Sequence, residues 1–487
     1  MEIHEYARYD ALGLSELIAT GKVTAAEVEE AARRALEAAN ARLNALTMPV
    51  FSPALRHAEQ GPFAGVPFLI KDSCPMAEGV PFSIGTRAIP PHITAEHDTE
   101  MMRRFRAAGL VTLGQTTAPE MAISFATESA RYGITRNPWD LDRGVGGSSG
   151  GSAALVAAGA VPVAHGSDGA GSIRIPASAC GLVGLKPTRG RTPAGPGADE
   201  HGFGMSYDFA LTRTVRDTAH LLDAVAGPGT GDKYEVQRPA RPYASELGAE
   251  PERLRVALSI RSWSGGTVDP EVAEATSTAA RLLEEMGHDV GEAGPEVTPE
   301  EIVEGSRHQL AAVAAPFLMA PVDVPRQMFA AVAWKVVEEA RRLSAMELLA
   351  GFARQNALTR KVGAFFTRYD LLVTPTLAWL PAPHGTFDFD DPEQTTTGWL
   401  ETIFQYGPFT MLFNVSGQPA ISLPLGQSRA GLPIGVQLVA PYGREDLLLR
   451  LAARFEEAMP WRDRTPPHHV AAGQRRSRGD APPHPPS

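Results

Sequence analysis

The sequence predicts an α/β fold, with helices packed on a sheet. Three observations carry that reading. Short apolar runs of strand character, such as Phe68-Leu-Ile and Tyr369-Asp-Leu-Leu-Val-Thr-Pro375, alternate with longer helical segments that carry start and stop signals. Between Arg255 and Val290 the order is strand, helix, strand, which favours a parallel sheet. The chain has 487 residues, 43% hydrophobic and 21% charged, close to the globular average, so a large buried core is expected. That length fits two or three domains, or one large α/β domain with a subdomain.

In order along the chain, Asp10 to Ile18 predicts a short helix, with Gly21 near its end. Thr24-Ala-Ala-Glu27 is a capping box opening a helix to about Asn40. Val28, Ala31, Ala35 and Ala39 give that helix one small apolar face for packing. Phe68-Leu-Ile reads as a buried strand ending at Lys71. Glu100 to Ala108 reads as helix, Leu110 to Gly114 as strand, and Gln115 to Phe125 as a loop entering a helix. Asn137-Pro-Trp-Asp140 is a turn, Ser149 to Ala158 a small-residue helix, and Val161 to Gly166 a strand leading to Asp168. Beyond Arg191 the chain is loop-rich until a helix at Val215 to Ala226. A composition shift near Pro228 marks a boundary or surface excursion.

Arg255 to Ile260 is then a strand. Asp269 caps a helix with Pro270 in its first position and Gly287 past its end, and Val290 starts the next strand. Residues 301–366 read as a mostly helical excursion that covers the sheet or the mouth of a site. Phe409 to Pro424 returns to the core, Ile434 to Ala440 is a strand and Leu447 to Ala458 an amphipathic helix. Residues 1–462 are expected to form the folded domain. Residues 463–487, rich in Pro, Arg and His, are expected to be a disordered tail.

Charge and composition exclude several classes. Forty-five basic against 56 acidic residues give a net charge of −11, which argues against a nucleic-acid binder. Two distant cysteines, Cys74 and Cys180, form no Cys-rich metal pattern and no disulfide framework, which suits a reducing cytoplasm. No secretory signal and no apolar run long enough to span a membrane is expected.

The stretch Gly144 to Arg191 carries the chemistry. It places Ser148 and Ser172 in glycine-rich loops on either side of one strand. A serine is a weak nucleophile and needs a base. Both Gly146-Gly-Ser148-Ser-Gly150 and Gly147-Ser-Ser149-Gly-Gly151 satisfy the G-x-S-x-G pattern of α/β-hydrolases, but no apolar strand precedes them, and His468 and His469 lie in the expected tail. A phosphate-binding loop fails because neither glycine pattern is completed. A purely structural glycine-rich segment leaves unexplained why serines recur in both loops. A serine hydrolase with a lysine base is the third reading. At the end of a buried strand Lys71 either reaches solvent or an ion pair, or is desolvated so that its ammonium loses its proton easily.

Several ordered motifs resemble the amidase signature family over most of the chain. They are Gly65-Val-Pro-Phe-Leu-Ile-Lys71-Asp, Gly-Gly-Ser148-Ser-Gly-Gly-Ser, Gly-Ser-Asp168-Gly-Ala-Gly-Ser172-Ile-Arg-Ile-Pro-Ala, Gly-Leu-Lys-Pro-Thr188, Phe413 to Pro424 and Leu432-Pro-Ile-Gly-Val-Gln-Leu. The resemblance implies a mixed, mostly parallel central sheet covered by helices on both faces. It implies a bacterial amidase with Ser172 as nucleophile, Ser148 as bridging serine after a cis peptide bond, and Lys71 as base. The backbone N–H groups of Gly169, Ala170, Gly171 and Ser172 would form the oxyanion hole, with Asp168 and Arg174 holding the loop. Ala170 stands where the family commonly has glycine, which the loop accepts provided residue 170 does not need a positive φ. A cationic Arg174 would also help keep Lys71 neutral.

Ala122 and Ser124 fall where the family places pocket walls, although helix packing accounts for them equally well. Cys74 and Cys180 are expected to pack in the core, and His165 to be structural, since the mechanism needs no histidine. No metal and no cofactor is expected, and the partner is a small-molecule amide. The resemblance also suggests a homodimer in the cytoplasm. Ile175 after the Ser-Ile-Arg motif, and Arg189-Gly-Arg-Thr-Pro after Lys-Pro-Thr, depart from the glutaminase subunit of tRNA-dependent amidotransferases. A catalytically inactive binding relative would lack a reason to keep all three side chains. Pro62 to Pro67, Val163-Ala-His-Gly and Ala440 to Leu449 are similar to 6-aminohexanoate cyclic-dimer hydrolases, which points to small or medium, possibly cyclic, amides.

Overall fold

A computed structural model describes residues 1–74 and 76–472. Ten strands form one sheet: β1 (Val66–Lys71), β2 (Leu110–Thr116), β3 (Val163–Asp168), β4 (Val183–Lys186), β5 (Tyr207–Thr212), β6 (Arg255–Leu258), β7 (Asp289–Glu292), β8 (Leu371–Pro375), β9 (Ala420–Gln427) and β10 (Pro433–Val439). Their spatial order is β7-β6-β8-β10-β9-β4-β5-β3-β1-β2. Parallel ladders lie at the two flanks, where β3 and β2 pair with β1, and β7 and β8 pair with β6. The centre from β8 to β3 pairs antiparallel. The sheet is therefore mixed, as expected, and the division into flanks and centre was not announced by the sequence.

Helices cover both faces. The N-terminal half supplies α1 (Ala11–Ala19), α2 (Ala25–Leu43), α3 (Glu100–Ala107), α4 (Gly150–Ala157), α5 (Arg174–Cys180) and α6 (Val215–Val225). Then come α7 (Pro270–Glu285), α8 (Pro299–Ser306), α9 (Gln309–Leu318), α10 (Ala331–Arg342), α11 (Ala345–Phe365), α12 (Thr396–Tyr406), α13 (Met411–Ser416) and α14 (Glu445–Ala458). Side chains alternate across each strand, so Leu371 and Val373 of β8 pack with α2, α7 and α14 in one core. Leu372 faces the other way, into a core built by α8 to α13. The helical excursion expected over 301–366 is thus the cover of that second face.

Start signals hold locally. Thr24 Oγ1 accepts from the Glu27 N–H while the Glu27 carboxylate accepts from the Thr24 N–H, closing the capping box of α2. The Asp10 side chain caps α1, and Asp269 caps α7 with Pro270 in the first turn. Three expectations fail. Residues 117–125 do not enter a helix: only a single 3₁₀ turn forms at Glu120–Ala122, because Met121 and Ala122 adopt φ of 55° and 57°. The loop-rich stretch after Arg191 contains β5, whose pairing with β3 is tertiary.

Residues 463–472 are not a loose tail either. The Arg464 guanidinium donates to the Gly426 carbonyl at 3.3 Å, and the Val470 N–H donates to the Ala158 carbonyl at 2.9 Å. The rest of the expected tail, 473–487, lies outside the described residues. Among the described residues no helix is long and apolar enough to cross a membrane.

Candidate active site

Lys71 ends β1 with its side chain fully buried. Its Nζ lies 2.8 Å from Ser148 Oγ and 2.7 Å from Ser167 Oγ. Burial pushes its pKa down to about 8, against the opposing pull of Asp208, Asp168 and Asp72. Arg174, expected from the sequence to help, is not among the main causes, and it is paired with Asp168 at 2.8 Å. The lysine backbone is held as well: its N–H donates to His165 Nδ1 at 3.3 Å, and His165 Nε2 faces Asp208 Oδ1 at 3.1 Å. His165 therefore supports the strand end rather than the reacting atoms. The next residue, Asp72, accepts from the N–H groups of Ser83, Ile84 and Gly85, which anchors the loop after β1.

Ser148 follows a cis peptide bond from Gly147 and precedes α4. The loop 119–126 lies directly on this bond: a methyl group built on Gly147 would sit 2.6 Å from the Ser124 carbonyl oxygen. Of the two candidate wall residues, Ser124 is buried with its carbonyl oxygen against Gly147, while Ala122, two residues earlier, is half-buried. Ser172 belongs to the loop between β3 and α5. The Ser149 N–H donates to the Ser172 carbonyl at 3.2 Å, which ties the two serine loops together.

The loop before Ser172 is built around Asp168, the last residue of β3. Its carboxylate accepts from the Gly171 N–H at 2.7 Å and from the Ile173 N–H at 3.2 Å, and pairs with Arg174 Nη2 at 2.8 Å. Burial alone would raise this carboxyl; the Arg174 charge, with hydrogen bonds from Arg174 and Asn414, holds it far below the usual carboxylate range. Arg174 is itself completely buried and donates to the Thr410 carbonyl, Asn414 Oδ1 and Gln437 Oε1 at 3.0, 2.6 and 2.8 Å. Asn414 in turn donates to the Asp168 carbonyl at 2.8 Å. Both supporting residues expected from the sequence are therefore present and clamped by the C-terminal part of the chain.

One member of the expected oxyanion hole is corrected. The Gly171 N–H donates to Asp168 Oδ1 and so is not free to meet an oxyanion. Ala170 lies outside the left-handed region, so alanine is accepted there; its carbonyl accepts from Thr410 Oγ1 at 2.6 Å. Gly171 carries the special geometry instead. Its φ is 129°, and a Cβ would lie 2.4 Å from Thr410 Oγ1. Gly171→Ala is expected to lower kcat on an amide substrate by on the order of 10²-fold through displacement of Ser172. Steady-state kinetics beside a thermal melt checks this, and an unchanged kcat in a folded variant would count against the loop's role.

Sequence reasoning missed Ser167, Asp208, Thr410, Asn414 and Gln437. Ser167 stood in plain view as the residue before Asp168, but on a strand it reads as an ordinary small side chain. The other four come close only through tertiary pairing. Cys180 is buried with its Sγ near the Val145 carbonyl, and burial pushes its thiol up, as fits a packing role. A cavity of about 1100 Å³ lies elsewhere, beside His4, Arg8, Trp139 and Trp461, and none of the three candidate catalytic residues lines it.

The family model described as Amidase matches residues 27–449. The chain is 40% identical over 479 residues to 6-aminohexanoate-cyclic-dimer hydrolase of Paenarthrobacter ureafaciens, covering 94% of this chain and 96% of that one. It is 34% identical over 470 residues to an acylamidase of Rhodococcus erythropolis, covering 94% and 96%. Among solved structures it is similar to 6-aminohexanoate cyclic dimer hydrolase complexed with substrate, with TM-score 0.87, 37% identity, and coverage of 96% of this chain and 99% of that one.

Proposed function

The chain belongs to the amidase family and hydrolyses amide C–N bonds, and from that premise we propose that Ser172 is the nucleophile, Ser148 the proton bridge and Lys71 the base. The observation that carries this reading is Lys71: a fully buried lysine with its Nζ 2.8 Å from Ser148 Oγ. Burial makes the neutral amine accessible near neutral pH, and a neutral amine can take a proton.

Ser172 Oγ attacks the amide carbonyl carbon. Its proton passes to Ser148 as the Ser148 proton passes to Lys71, since a hydroxyl can accept and donate at once. The oxyanion is met by backbone N–H groups of the Gly169–Ser172 loop, each worth on the order of 3–4 kcal/mol. The ammonium of Lys71, steadied by Ser167 Oγ, returns its proton through Ser148 to the leaving nitrogen as the C–N bond breaks. Water then attacks the acyl ester, its proton follows the same relay, and Ser172 is restored with release of a carboxylic acid. The products are that acid and an amine or ammonia.

We extend the reading to small or medium carboxamides, cyclic ones included, on the likeness to the cyclic-dimer hydrolase. Bacterial origin, cytoplasmic residence and a homodimer belong to the same reading; the two free thiols, Cys74 and Cys180, suit a reducing compartment.

The pH profile tests the base. Because the neutral lysine is the active form, kcat/KM is expected to rise with pH and to reach half its plateau near pH 8, following the lysine pulled down to about 8. A profile that is flat from pH 6 to 10, or that falls as pH rises, sinks the lysine as base.

A further inference from the structure

We propose that Asp208 and His165 form a positioning pair for Lys71, in which His165 fixes the lysine backbone and Asp208 holds a negative charge facing its ammonium. Neither residue takes part in the relay itself. The proposal rests on the reading above of Lys71 as the base.

The ladder between β1 and β3 pairs Phe68 with Val163 and Leu69 with Ala164 and ends there. Lys71 lies two residues further on, and its N–H donates to His165 Nδ1 at 3.3 Å. An imidazole thus ties the two strand ends together where the ladder has stopped. His165 and Ser167 are two apart on β3, so their side chains share one face of the sheet. Asp208 on β5 stands directly opposite Ser167, which puts it on that same face. Ser167 Oγ is 2.7 Å from Lys71 Nζ, so the face that receives the lysine nitrogen also carries the carboxylate.

The hydrogen bonds fix the charge state of the pair. Nδ1 accepts from the Lys71 N–H and so carries no proton. The ring hydrogen is then on Nε2, which donates to Asp208 Oδ1 at 3.1 Å. His165 is therefore neutral, and its side chain is fully buried. An imidazolium would turn one N–H against another at Lys71. Burial alone would raise the Asp208 carboxyl, but the bond from His165, with the charges of His201 and Lys71 nearby, holds it below the ordinary carboxylate value. His201 Nε2 lies 3.8 Å from Asp208 Oδ2.

Three carboxylates and one thiol face Lys71: Asp208, Asp168, Asp72 and Cys74. Asp168 is paired with Arg174. Asp72 accepts from three backbone N–H groups and from the Ser83 hydroxyl. Burial pushes the Cys74 thiol up, so it stays neutral. Burial drives the lysine towards its neutral form, and of the four groups Asp208 opposes it most. When Lys71 takes a proton during acylation, an ammonium forms inside the protein. A carboxylate already fixed on the same face stabilises that charge without having to reorganise.

The test reads the lysine directly and through turnover. The chain has six lysines, so NMR of protein labelled at lysine Cε, with Lys71→Arg to assign the signal, follows the Lys71 titration. Asp208→Asn keeps the size and an acceptor for His165 but removes the charge. Without that charge the ammonium is disfavoured, and the Lys71 midpoint is expected to fall by about half a unit or more. The rise of kcat/KM with pH should move to lower pH by the same amount, towards a plateau about threefold or more below wild type. His165→Leu is expected to lower kcat about tenfold with KM within about twofold, and His165→Asn, which restores an acceptor near Nδ1, to recover most of it. Midpoints that stay put in Asp208→Asn overturn the proposal, whatever the activity, because a structural lesion would lower the rate without moving them. A kcat/KM curve that shifts while the lysine signal does not overturns it too. A lysine midpoint that falls while the kcat/KM curve stays in place supports the pair and counts against Lys71 as the base. Equal rates in His165→Leu and His165→Asn remove His165 from the pair, and Asp208→Asn decides where a His165 variant does not fold.

Discussion

Ser172→Ala is expected to abolish amide hydrolysis, lowering kcat by on the order of 10⁴–10⁶, and Lys71→Ala to approach the same floor. Residues of one relay do not contribute additively, so the double variant should be no slower than Ser172→Ala alone. The residual rate would come from the backbone donors around Gly169 and Ala170, which neither substitution touches. Ser167→Ala separates the base from its neighbour. It removes one of the two hydroxyls within 2.8 Å of Lys71 Nζ but not the bridge. It should therefore cost far less than Ser148→Ala. Rapid-mixing kinetics on an activated ester would show whether an acyl-enzyme forms. A Lys71→Ala enzyme with wild-type amidase activity is the result that removes lysine from the relay.

Arg174→Met is expected to cost about 3–5 kcal/mol of folding stability, because it leaves the Asp168 carboxylate buried and unpaired. Both side chains are fully buried and Nη2 stands 2.8 Å from Oδ1. The loss also strips donors from the Thr410 carbonyl, Asn414 and Gln437. Urea unfolding of Arg174→Met beside Asp168→Asn/Arg174→Met checks the cause. The pair without charge should regain most of the stability, since a buried ion pair is often replaceable by neutral groups. It should not regain activity, because an amide in place of the carboxylate cannot accept from both Gly171 and Ile173 as Asp168 does. Equal midpoints for wild type and Arg174→Met would refute the account.

Much of this architecture was legible because its signals are local. Capping residues at Thr24 and Asp269, and the apolar run into Lys71, act within a few residues, and the elements they predict are present. The three residues of the proposed relay were legible only as an ordered set of motifs, since Lys71 and Ser148 are 77 residues apart. The loop at Met121 and Ala122 was misread because its left-handed backbone is imposed by tertiary packing: the Met121 N–H donates to the Ile84 carbonyl, and the Trp399 indole to the Ile123 carbonyl. Strand β5 hid in a glycine-rich stretch since its partners lie elsewhere in the chain. The segment 463–472 was misjudged by composition. Its prolines and charges resemble a tail, yet Trp461 is buried just before it and its backbone finds acceptors on the body.

The clamp on the loop before Ser172 has a consequence in time. Arg174 reaches Asn414, which is made 240 residues later. At a synthesis rate of about 5–20 residues per second, the loop leaves the ribosome on the order of 10–50 s before the groups that hold it. A nascent chain carrying Lys71, Ser148 and Ser172 thus has its chemical groups long before it has their geometry. Activity is then expected to switch on at the end of synthesis rather than grow with chain length, and a chain interrupted before Asn414 is expected to be inert in an amidase assay.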